Sequence, residues 1–213
     1  MPAPFDFAVP SFDRTTLTYT EYCHEVSSAL FEQASAHYST VNPDGTVTNP
    51  VLFATVHGSY LYGTAHQNSD LDCYVVVDGV KNKQSVNDAG VDVQRFSTAK
   101  FLELVGAGSH QAVEALYSPY AVLNSDHPYY AMIQRLQPSV FRFLRKSLSA
   151  ATSFRYRVAE AVDALHPPHV PEDAVLDATQ HKQLRHAHRL EDGALTVLHG
   201  GFAAYNPVWI LTT

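Results

Sequence analysis

Residues 57–77 read HGSYLYGTAHQNSDLDCYVVV, a glycine–serine turn followed by two aspartates one residue apart and then an apolar run. The preceding apolar run, Val51–Val56, is expected to be a central strand ending at Gly58, and Leu71–Val77 a second strand. Side chains alternate faces along a strand, so Asp70 and Asp72 point the same way. Two carboxylates so placed repel each other unless something positive lies between them. A divalent cation resolves the conflict, because Mg²⁺ is held by few carboxylates and keeps its other positions for water and substrate phosphates. Gly58 lets backbone approach a ligand closely, a helix start offers free N–H groups to phosphate, and Ser59 adds a hydroxyl. The stretch reads as a phosphate seat on one strand end and a metal-holding acid pair on the next.

Working outward, "VDVQRF" at 91–96 alternates apolar and polar residues and reads as a third strand, after a polar loop over 78–90. Upstream, Tyr19, Cys23, Val26, Leu30 and Ala34 fall near helical spacing, predicting a helix from Thr15 to about His37. "NPDG" at 42–45 is a turn signal. Ser97 is a candidate N-cap for a helix reaching Val105 and stopped by Gly106 and Gly108. Beyond residue 110 strand signals disappear. Short helical segments are expected near 110–117 and 127–136. Pro138 opens a long helix carrying Val140, Leu144, Leu148, Ala151, Phe154, Val158 and Val162. "HPPHVP" at 166–171 breaks it, and a last helix is expected from about Pro171 to His199.

The chain has 213 residues, 46% apolar and 16% charged, which describes a globular protein and not a disordered one. No apolar run is long enough for a transmembrane helix. The start, MPAPFDFAVPSFDR, lacks the basic and apolar regions of a signal peptide. Cys23 and Cys73 are far apart and form no zinc or redox spacing. These features predict a cytoplasmic protein with no membrane partner. A net charge of −7 argues against broad nucleic-acid coating. The charge is uneven, however. Arg135, Arg142, Arg145, Lys146, Arg155 and Arg157 lie in a stretch free of acids, either a solvated helix face or a local cradle for phosphates. No P-loop, dinucleotide or hydrolase motif appears, and the histidines lack zinc spacing.

A strand, Gly-Ser, ten residues and then Asp-x-Asp opening another strand resembles the signature of the DNA polymerase beta-like nucleotidyltransferase superfamily. The resemblance implies an α+β fold with a palm-like mixed sheet and flanking helices. The run of predicted elements places the α+β part over residues 1–120 and a helical part over 121–213, with no flexible linker between them, so the two are expected to pack together. It also implies a third carboxylate on a following strand, completing a site for two ions, Mg²⁺ or Mn²⁺, with an NTP as substrate. Asp92 is the candidate, its other reading being a surface aspartate at a strand edge. Asp70, Asp72 and Asp92 are thus the expected catalytic residues and metal ligands.

A narrower resemblance is to the predicted nucleotidyltransferases linked to bacterial and phage RNA-repair systems (RlaP-like). It rests on GSYLYGTAHQNSDLD, on FSTAKFLELVGAGSHQAVEALYS, and on HKQLRHAHRL at 181–190. Lys182, His186 and Arg189 match that group's Lys-x-x-x-His-x-x-Arg-Leu helix and lie at i, i+4 and i+7, on one helix face. Such a cationic face either is solvated or meets acids or a polyphosphate. The second reading makes Lys182, His186 and Arg189, with Gly58 and Ser59, the expected nucleotide-binding residues. The sequence departs from the group at GAGSHQ, 106–111, where Gly-Asn-Pro is usual, and ends soon after the last helix. Both departures leave acceptor contacts and later family elements in doubt. The acceptor stays open between an RNA end, a protein side chain and a small molecule, and a non-catalytic nucleotide- or partner-binding module is the rival class. His57 and His66, flanking the turn, are expected to be structural or to touch substrate. Lys100 and Glu114 are placed on helices behind the sheet, Glu114 as a buried acid paired with an arginine or, alternatively, as a metal ligand.

Overall fold

The two apolar runs on either side of the Gly-Ser turn become neighbouring antiparallel strands at the centre of a five-stranded sheet. The computed structural model describes residues 5–9, 17–65, 69–86, 90–116, 118–124, 139–163 and 169–200. The elements, in chain order, are α1 (Tyr19–Tyr38), β1 (Thr40–Val41), β2 (Val47–Thr48), β3 (Val51–Val56), α2 (Gly58–Leu61), β4 (Leu71–Val77), β5 (Lys83–Val86), β6 (Val91–Ser97), α3 (Thr98–Gly106), α4 (His110–Leu116), β7 (Val122–Leu123), α5 (Ser139–Ala161) and α6 (Ala178–Gly200). The described residues fall into two compact units, one drawn from 1–105 and 111–136, the other from 106–110 and 137–205.

In the first unit the strand order is β5-β6-β4-β3-β7, with β4 and β6 parallel and the other pairs antiparallel. The architecture is α+β, a mixed sheet with flanking helices. β3 is buried at all six positions, as a strand covered on both faces must be. A bulge between Val51 and Phe53 breaks strict alternation, so that Val51, Ala54 and Val56 share a core face with Leu71, Cys73, Val75 and Val77. Cys23, Val26, Leu30 and Ala34 of α1 cover that face. Each fully buried Val or Leu there contributes about 1.5–3 kcal/mol. On the opposite face the Phe101 ring meets both Phe53 and Phe96, with Tyr74 edge-on to Phe96.

The helix expected from Thr15 begins at Tyr19, because Thr18 and Glu21 form a reciprocal capping box. Ser97 caps α3 as expected, its hydroxyl accepting from the Lys100 N–H at 3.2 Å. The loop expected over 78–90 contains a strand, β5. As an edge strand it is held through the backbone bonds of one neighbour, β6, and needs no apolar alternation. β7, too short to show periodicity, extends the strands beyond residue 110. The segment expected to be helical over 127–136 lies outside the described residues.

In the second unit α5 packs on α6 through Ala151, Ala187 and Leu190, with Ala150 and Phe154 beside them. An ion pair joins Arg155 to Glu191. The last helix starts at Ala178 and not near Pro171. Asp177 Oδ1 accepts from the Gln180 N–H at 2.8 Å, and Gln180 Oε1 accepts from the Asp177 N–H at 2.7 Å, which fixes the helix start there. No helix among the described residues is long and apolar enough to cross a membrane.

Candidate active site

The register of the central strands puts Asp72 of β4 directly opposite Asp92 of β6. Adjacent strands run about 4.8 Å apart, and paired residues of parallel strands share a face. Both aspartates are half-buried. Their charge is felt by their neighbours. The Tyr74 hydroxyl is pushed above its usual range by burial first, then by Asp72, Glu114 and Asp92. The Cys73 thiol is pushed up by burial, then by Asp72 and Asp92.

Each of the two acids of the opening motif leans on a glycine in left-handed conformation. Gly58 has φ +58°, and a Cβ there would lie 2.0 Å from Asp72 Oδ2. Gly90 has φ +73°, and a Cβ there would lie 3.0 Å from Asp70 Oδ1. Asp70 itself is exposed, just ahead of β4, and the next residue, Leu71, donates its N–H to the Gly90 carbonyl at 2.9 Å. The His57 N–H donates to the Asp72 carbonyl at 2.7 Å, so the Gly58-Ser59 turn is seated on β4 at the acid. Gly90 was not singled out by sequence reasoning. The signal for it was the "DAG" immediately before the strand that carries Asp92.

Gly58 and Ser59 form the first turn of α2, half-buried, where helix geometry leaves the leading N–H groups without intrahelical acceptors. His57 is buried, stacked on Tyr74 with ring centroids 4.3 Å apart, and its Nε2 lies 3.2 Å from the Gln111 carbonyl oxygen. Glu114 is buried as expected, and one of its partners is the Tyr62 hydroxyl, which donates to its Oε2 at 2.5 Å. Lys100 pairs with Glu103 on its own helix. His66 lies outside the described residues.

Carboxylate oxygens are the hard donors that Mg²⁺ and Mn²⁺ take, so Asp70, Asp72 and Asp92 fit such an ion in kind. Among the described residues, however, no group of three or more His, Cys, Asp and Glu side chains is gathered for a metal. The adjacency the backbone supplies is pairwise, Asp72 with Asp92, with Asp70 resting against Gly90.

Lys182, His186 and Arg189 lie on α6, in the second unit. Lys182 is exposed, while His186 and Arg189 are half-buried. The His186 ring stacks on Phe154 at 5.6 Å. Its pKa falls to about 4 through burial and then the charges of Arg189, Lys182, Arg185 and His110. His110, from the GAGSHQ loop, also falls to about 4, through burial, Arg189 and Lys146. The groups expected from the motif thus feel two more, His110 and Lys146, of which only Lys146 is charged near neutral pH. Of the basic stretch on α5, Arg142 donates to the Gly106 carbonyl at 2.6 Å and Arg157 lies over Phe154. Arg145 and Lys146 are exposed and line a shallow surface hollow of about 580 Å³ with Ser149, Ala150 and Ser153.

Residues 48–116 match the family model described as "Nucleotidyltransferase domain". The matched segment runs from β2 through α4 and carries Gly58, Ser59, Asp70, Asp72, Gly90 and Asp92. It is similar to domains of the DNA polymerase beta-like superfamily, and nucleotidyl transfer is the general activity the match supports. No curated protein matches the chain.

Proposed function

We propose that the chain transfers a nucleoside monophosphate from an NTP to a hydroxyl acceptor. The acceptor oxygen attacks the α-phosphorus, the bond from that phosphorus to the α–β bridging oxygen breaks, and pyrophosphate leaves. The observation that carries this reading is the opposition of Asp72 and Asp92 across parallel strands, directly against a glycine that clears space for Asp72. The match to nucleotidyltransferase domains over the same residues supports it.

Asp70, Asp72 and Asp92 would hold Mg²⁺ or Mn²⁺. Such ions, when bound, lower the pKa of an acceptor hydroxyl and neutralise charge on the phosphates. The chain's own residues do the rest. The Gly58 backbone and the Ser59 hydroxyl hold phosphate oxygens, and Asp72 is kept in place by its fit against Gly58. Lys182, His186 and Arg189, in the second unit, are the remaining nucleotide-binding candidates, His186 as a neutral donor. The acceptor we favour is an RNA end, in keeping with the RNA-repair resemblance of the motifs at 58–72 and 182–190, in a cytoplasmic protein. AMP transfer to a protein side chain is the alternative.

Incubation with each labelled NTP, Mg²⁺ or Mn²⁺, and either RNA or protein extract tests the proposal. Label transferred by the wild type and lost in Asp72→Asn supports it. Undiminished transfer in that variant refutes the acid assignment. A second reading, a module that binds nucleotide without transferring it, is favoured by the lack of a gathered three-ligand group among the described residues. Calorimetry showing NTP binding, with no transfer to any acceptor, would select it.

A further inference from the structure

A four-residue helical turn forms too few hydrogen bonds to hold itself, so what keeps Gly58 and Ser59 in place must come from elsewhere. Both ends of α2 are fastened to one helix, α4. At the head, the His57 ring meets the Gln111 carbonyl at 3.2 Å; at the foot, the Tyr62 hydroxyl donates to Glu114 at 2.5 Å. Gln111 and Glu114 are three residues apart and so lie on one side of α4. His57 and Tyr62 also contact each other, ring edge to face at 6.1 Å. All three side chains are almost sealed from solvent, His57 and Tyr62 at 4% exposure and Glu114 at 1%. The middle of the turn is tied separately, the Tyr19 hydroxyl donating to the Tyr60 carbonyl at 2.5 Å.

Packing alone does not call for a carboxylate at position 114. An apolar side chain would fill the space without the penalty of burying an acid. A carboxylate acceptor, by contrast, makes a hydrogen bond roughly twice as strong as a neutral one, and one of its partners here is the hydroxyl of the residue that ends the turn. We propose that Glu114 and Tyr62 are positioning residues. They clamp the Gly58-Ser59 turn to α4 and thereby set the chain's affinity for the triphosphate. The inference rests on the reading of that turn as the phosphate seat. The clamp acts on binding and not on the reacting bond, so it moves KM and leaves kcat nearly untouched.

Two measurements on the full chain test it, one of which needs no nucleotide. In hydrogen exchange without ligand, Tyr62→Phe should speed the amides of 58–62 by about tenfold or more while those of β3 and β4 keep their wild-type rates. In calorimetry and steady-state transfer, the same variant should weaken NTP binding and raise KM by about tenfold, with kcat within about twofold. Glu114→Gln keeps a neutral acceptor for the hydroxyl and should fall between wild type and Tyr62→Phe in both measurements. Unchanged exchange at 58–62 in Tyr62→Phe overturns the clamp, as does faster exchange with unaltered NTP affinity. A wild-type chain that binds no NTP overturns the phosphate-seat reading and the affinity half of the proposal with it. The exchange result would still show separately whether α4 holds the turn.

Discussion

Gly58→Ala places a methyl carbon 2.0 Å from Asp72 Oδ2 on a backbone with φ +58°. Two penalties follow and can be separated. A non-glycine residue in left-handed conformation costs about 1–2 kcal/mol. For a chain of this size that lowers Tm by about 2–8 °C, at about 2–4 °C per kcal/mol. The contact adds a displacement. Favourable carbon contacts lie near about 3.5 Å, so the Asp72 carboxylate must retreat by about 1.5 Å from its place opposite Asp92. A misplacement of about 1 Å in a catalytic group can lower the rate by about 100-fold. Gly45→Ala is the matched control, with φ +82° and nothing within 4 Å of the new Cβ. Thermal unfolding and labelled-nucleotide transfer, measured side by side, should show similar losses of Tm in the two variants and a loss of transfer of about 100-fold in Gly58→Ala alone. Gly58→Ala transferring at the wild-type rate would refute the argument that this glycine exists to seat the acid.

Two further outcomes are expected. His110 and His186 titrate near 4 in the fold against an ordinary 6.5, so between those values the unfolded chain binds more protons. Stability is therefore complete above about pH 6.5 and lost as pH falls toward 4. His110 contributes at most about 3–4 kcal/mol, at about 1.4 kcal/mol per unit over about 2.5 units, and the less buried His186 contributes less; denaturant midpoints of wild type and His110→Asn from pH 7 to 4.5 should converge, and parallel curves would count against it. Asp177→Ala removes the cap of α6 and should cost about 1 kcal/mol, measured by denaturant unfolding, with no change expected if the helix start is set by other contacts.

The strand, turn and acids were legible because each is a local pattern. Apolar runs mark β3 and β4, alternation marks β6, and spacing alone joins Gly58-Ser59 to Asp70 and Asp72. The capping boxes at Thr18–Glu21 and Asp177–Gln180 were equally local and would have corrected both helix starts. What could not be read depends on distant pairing. β5 and β7 are joined to their neighbours by backbone pairing, which no local pattern announces. The link from Tyr62 to Glu114 spans 52 residues. The bulge at Val51–Phe53 alters which residues face α1 without leaving a mark in composition. Gly90 becomes meaningful only once β6 lies beside β4 and brings it to Asp70.

The central claim is that the acids of β4 and β6 jointly hold a divalent ion with the triphosphate. Mn²⁺ titration followed by electron paramagnetic resonance, with a non-hydrolysable NTP analogue present, tests it most directly. The account predicts Mn²⁺ held by the wild type together with the analogue. In Asp72→Asn and in Asp92→Asn that binding should weaken by at least about tenfold, with wild-type Tm retained. Equal Mn²⁺ binding in wild type and both variants would contradict it.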